Sequence, residues 1–125
     1  MEEVKKTILY DRHIKYNAKM VEFGGFLMPI EYNYLSENGL SFEHMAVRSD
    51  CGLFDVSHMG EIYVSGKDTM EYLNYMITSN IEKAPYNRLT YGLFCMENGC
   101  VVDDLMVYKY TDDYVLLVVN ASNVD

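Results

Sequence analysis

The order of apolar and polar residues divides the chain into a helical first part and a strand-rich second part. Leu9, His13, Tyr16 and Met20 recur at helical spacing ahead of the breaker pair Gly24-Gly25, which predicts a helix over Leu9 to Met20. Met28-Pro29-Ile30 reads as extended, because the residue before a proline is driven out of the helical region. A second helix is predicted over Ser36 to Ser49. Leu40, His44 and Val47 share one face of it, and Arg48 sits in the last turn, where a cation suits the helix dipole. Gly60 to Gly66 alternates as a short strand. Asp68 is then placed to cap a helix reaching Ile77, with Met70, Leu73 and Ile77 on one face.

From Leu89 onward the period changes to that of strands. Thr90 to Met96 and Val101 to Tyr110 flank Glu97-Asn98-Gly99, and an Asn-Gly pair between alternating runs predicts a hairpin. Thr111-Asp112-Asp113 makes a second turn and Tyr114 to Asn120 a third strand. The sum is α+β: two amino-terminal helices, then strand-helix and a three-stranded antiparallel meander. With no repeat, linker or low-complexity segment, residues 1–125 read as one domain. The last strand is apolar on both sides, Val115, Leu117 and Val119 against Leu116 and Val118, so both faces are expected to be covered. By that expectation the fold is incomplete and relies on further chain or on a partner.

Composition narrows the function. A net charge of −9 with 10 basic residues and no basic cluster argues against nucleic acid and against an anionic lipid surface. The longest apolar run, Val115 to Val119, is far too short to span a membrane, and the amino terminus lacks the pattern of a signal peptide. A cytoplasmic protein is the expectation. Cys51, Cys95 and Cys100 form no CxxC pair and the histidines are scattered, so reduced, mostly buried thiols are expected rather than a zinc site. Nine Met and twelve Tyr without Trp could line a pocket for a flat heterocycle, although genome composition could equally account for them.

Two segments could carry chemistry. Asp55, Ser57, His58 and Glu61 lie within seven positions, but adjacent Ser57 and His58 make a poor nucleophile pair, and no nucleophile elbow surrounds the serine. Local backbone bonding by Asp55 and Ser57, with His58 in a buried polar niche, is the favoured reading. Asp103-Asp104 interrupts the apolar run Val101 to Val107, and strand alternation sends one of the two inward. A buried carboxylate is costly unless it is hydrogen-bonded or functional. The alternative is that both reach water near the hairpin or cap a neighbouring loop, and spacing alone favours that alternative. No phosphate-binding glycine loop is present.

Taken in order, these segments resemble the amino-terminal portion of the glycine-cleavage T-protein, an aminomethyltransferase. The resemblance rests on Leu9-Tyr10 with His13, Met20 to Pro29, Glu43 to Arg48, Gly52-Leu-Phe-Asp-Val-Ser-His-Met-Gly-Glu61, Glu97 to Leu105 and Val118 to Asn123. It spans nearly the whole chain. Gly25-Phe26 stands where the family often has Gly-Trp, and Gly99-Cys100 where it usually has Gly-Gly. The family implies transfer of a one-carbon unit from the aminomethyl-lipoyl arm of the H-protein to tetrahydrofolate, with release of ammonia. It implies that Asp104 is the carboxylate near the reactive folate nitrogen, and that Met59, Tyr91, Met106, Tyr108, Val118 and Asn120 line the folate cavity, Asn120 offering amide donors and acceptors. Family enzymes are longer, so the resemblance further implies a complementary chain or remainder supplying the missing domains, and inactivity of this fragment alone. A non-catalytic folate-binding or interaction module of the same fold, and a related folate-dependent demethylase, are the alternatives.

Overall fold

The computed structural model describes residues 4–32 and 39–124, which fall into two units, Met1–His58 and Met59–Asp125. In the first unit, β1 (Lys5–Lys6) runs parallel to β3 (Phe26–Tyr32), and β3 pairs antiparallel with β2 (Ala18–Phe23), giving the order β1-β3-β2. Helix α1 (Tyr10–Lys15) precedes the hairpin and α2 (Gly39–Ser49) follows it. The extended reading of Met28-Pro29-Ile30 holds, since these residues lie in β3. The helix over Leu9 to Met20 does not. Asn17 takes a left-handed conformation, with φ at 55°, and Ala18 onward gains ladder hydrogen bonds to β3. Sheet pairing therefore overrides the helical spacing, and Met20 belongs to β2. Of the second predicted helix, positions 36–38 lie outside the described residues, and the rest is α2.

The second unit contains β4 (Gly60–Ser65), α3 (Thr69–Met76), β5 (Arg88–Cys95), β6 (Val101–Lys109) and β7 (Tyr114–Val119). Its sheet has the antiparallel order β4-β7-β6-β5, so β4 extends the expected meander to four strands. Gly99, with φ at 82°, supplies the left-handed residue that the Asn-Gly turn needs. Asp68 occupies the N-cap position of α3 but makes no side-chain capping bond.

The two faces of this sheet differ. Leu105, Val107, Val115, Leu117 and Val119 form a core with Leu73 of α3, Ile77 and Ile81. Ile77 packs so closely over Gly92 that a Cβ there would collide with its side chain. Lys109 is also on this face, 2% exposed. Its Nζ donates to the Glu82 carbonyl at 2.9 Å and pairs with Asp112 at 2.9 Å, which satisfies the buried charge. The opposite face carries Met106, Tyr108, Leu116 and Val118, which are only partly buried. Within the second unit α3 covers only one of the two faces. The cysteines depart from expectation. Cys51 follows α2, and Cys95 and Cys100 flank the hairpin turn, and all three are exposed.

Candidate functional site

Alternation along β6 decides the fate of the aspartate pair. Asp103 points to the core face and is 8% exposed, while Asp104 points to the open face. Register brings the other site residues to the same side. Tyr91 lies opposite Met106, Leu93 opposite Asp104, Val118 opposite Met106 and Leu116 opposite Tyr108. Tyr91, Asp104, Met106, Tyr108 and Val118 therefore share one face, with Asn120 at its end just beyond β7. Met59, half-buried, immediately precedes β4.

The polar end of this face is tightly bonded. The Tyr91 hydroxyl donates to Asp104 Oδ2 at 2.8 Å, and this bond to the carboxylate raises the phenol's pKa above its ordinary value. Asn120 Nδ2 donates to Asp104 Oδ1 at 2.8 Å, to Asp103 Oδ1 at 2.8 Å and to the Asp104 carbonyl at 3.3 Å. The Asp104 backbone N–H donates to Asp103 Oδ1 at 2.9 Å. Burial pushes the Asp103 carboxyl up, but the amides of Asn120 and Asn123 and the nearby backbone N–H groups outweigh it and hold the group below its usual range. Asp103 is thus an ionised, hydrogen-bonded carboxylate. The Asn120 amide hydrogens are directed at the two aspartates, so its carbonyl oxygen is what remains to meet a ligand.

A different polar cluster occupies the first unit, and sequence reading missed it. Asp55 does bond the Ser57 backbone N–H locally, at 3.0 Å. It also accepts from the Ser57 hydroxyl, from Thr7 Oγ1 at 2.9 Å and from His13 Nε2 at 2.7 Å, while His13 Nδ1 lies 2.6 Å from the Tyr32 hydroxyl. Burial raises the Asp55 pKa, but these donors together bring it far below the carboxylate range. His58 sits edge-on to the rings of Phe23 and Phe26 rather than in the polar niche expected of it, and its Nδ1 has no hydrogen-bond partner among the described residues. Beside the cluster is a cavity of about 490 Å³ walled mainly by apolar residues such as Met28, Leu40, Val47 and Phe54. None of the family-matched site residues lines it.

Comparison with known proteins decides the ancestry. Residues 9–125 match the GCVT N-terminal domain family. The chain belongs to that family. It is 47% identical to an aminomethyltransferase of Desulfitobacterium hafniense and 46% identical to one of Alkaliphilus metalliredigens, over the whole of this chain in each case. The chain spans about a third of these relatives, 33% and 32% of their lengths. The crystal structure of glycine cleavage system aminomethyltransferase T from Bartonella henselae superposes with a TM-score of 0.90 at 32% identity, covering 98% of this chain and 33% of that one. The fold is that of the amino-terminal part of a T-protein.

Proposed function

We propose that the open face of the second unit is one wall of a tetrahydrofolate site, and that the chain serves a glycine-cleavage aminomethyltransferase. The observation that carries this reading is the convergence of Tyr91, Asp104, Met106, Tyr108, Val118 and Asn120 on one sheet face. The face suits the ligand. Met106, Tyr108 and Val118 offer a flat, partly buried apolar surface for a planar ring, and Asp104 offers a fixed acceptor beside it.

In the reaction so assigned, one folate nitrogen bonds to the aminomethyl carbon as that carbon's bond to the lipoyl sulfur breaks. A second folate nitrogen bonds to the same carbon as ammonia leaves it, and the two protons lost by those nitrogens end on the lipoyl thiol and on ammonia. Tyr91 and Asn120 hold the two oxygens of Asp104, so its carboxylate is oriented before the ligand arrives. Asp104 then orients the folate nitrogen and helps move its proton. On this reading the lipoylated H-protein is the donor, and a complementary chain or remainder closes the site from the other sides. A cytoplasmic location is part of the same proposal; among the described residues no helix is long and apolar enough to cross a membrane.

Calorimetric titration with tetrahydrofolate, of the chain and of Asp104→Asn, tests the assignment. Weak, saturable binding that Asp104→Asn removes is the expected result. Tight binding indifferent to the substitution overturns it.

A further inference from the structure

Asp103 is a buried carboxylate that the proposed reaction does not use. It faces the core side of the sheet, yet its Oδ1 receives the same Asn120 Nδ2 that reaches Asp104 on the other side. The orientation of the Asn120 amide follows from this. Turning it over would direct its carbonyl oxygen at two carboxylates, which repel an acceptor. With Asp103 in place, the amide hydrogens stay on the aspartates and Asn120 Oδ1 is turned away from them. The Tyr91 hydroxyl hydrogen is likewise committed to Asp104. The polar end of the face therefore presents acceptors: Asn120 Oδ1, the Tyr91 oxygen and the remaining lone pairs of Asp104.

We propose that Asp103 is a positioning residue that acts through Asn120, fixing its amide so that this end of the face reads a ligand edge made of N–H donors. A planar heterocycle with amino and ring N–H groups on one edge is the class that fits, and an edge made only of acceptors is rejected because it would leave buried acceptors facing acceptors. The proposal rests on the folate reading only in taking this face as the one that meets ligand.

The test uses nuclear magnetic resonance on the whole chain. Without ligand, the Asn120 side-chain hydrogens are expected to exchange slowly with solvent, and Asp103→Asn is expected to shift their signals and speed their exchange. Fast exchange in the parent overturns the proposal without any variant having to fold. With tetrahydrofolate, whose weak binding shift perturbation detects, Asp103→Asn should reduce affinity about tenfold, the loss of one hydrogen bond to a charged group. In an Asn120→Ala background the same change should have no further effect. An equal loss in both backgrounds shows that Asp103 does not act through Asn120 and overturns the proposal. If the parent gives no tetrahydrofolate shifts at all, the folate reading fails, while the Asn120 exchange measurement still decides the role of Asp103.

Discussion

Two aspartates in this chain each sit among several hydrogen-bond donors, and they differ in what surrounds the donors. Asp55 in the first unit is enclosed: its side chain is 2% exposed, and Thr7, His13 and Ser57 approach from separate segments of chain. Asp104 in the second unit receives Tyr91 and Asn120 from the two neighbouring strand regions but stays on a face that no helix of its unit covers. The first arrangement uses a charge to join distant parts of the chain. The second uses the same chemistry to hold a charge still while leaving it accessible. Asp55 accepts four hydrogen bonds and the Asp104 carboxylate two, and burial and the origin of the donors set them further apart.

The largest expected effect comes from breaking the enclosed cluster. Asp55→Ala leaves His13, Thr7 and the Ser57 N–H without their acceptor, and removing one member of a buried, bonded pair costs about 3 kcal/mol. Urea unfolding should show this loss. Asp104→Asn, by contrast, should change stability by less than about 0.5 kcal/mol, as surface changes usually do, while abolishing folate binding. Equal destabilisation by the two substitutions would erase the distinction between the regions.

Acid sharpens it next. The folded pKa of Asp55 is depressed, so its contribution to stability is present above the ordinary carboxylate value and is lost as pH falls toward the folded one. Asp103 shifts in the same direction and adds to the loss. Stability should begin to decline near pH 4, the unfolded value, and continue downward as acid is added. In Asp55→Asn this decline should be shallower. Chemical denaturation repeated across the acid range compares the two slopes.

How much of this the sequence revealed depends on the distance over which each residue acts. The Asn98-Gly99 turn, the extended Met28-Pro29 and the alternation of Asp103 with Asp104 are local effects, and each could be read within a few residues. That the resemblance-implied residues share a face was legible, because register in a hairpin follows from its turn, whereas the pattern predicted that face to be covered. His13 seemed to belong to a long helical stripe, whereas its position is set by Asp55, 42 residues away. Asp55 was read as a local bonder for the same reason. Lys109 sits in an apolar run whose pattern does not show that the Glu82 carbonyl and Asp112 satisfy it. Likewise, nothing in the pattern of β4 alone placed it beside β7 rather than in a sheet of its own.

The smallest effect belongs to Tyr91→Phe, and it tests the accessible side of the comparison most finely. The substitution removes one donor from Asp104 Oδ2 and leaves Asn120 on Oδ1. Because Tyr91 is 56% exposed, water can replace its hydroxyl at Asp104, so stability should change by only a few tenths of a kcal/mol. Folate affinity should fall by about threefold, since the carboxylate is then held from one side and must be ordered when the ligand arrives. A loss as large as that of Asp104→Asn would instead mean that the Tyr91 hydroxyl meets the ligand itself. Orientation of the acceptor would then be the lesser part of its role.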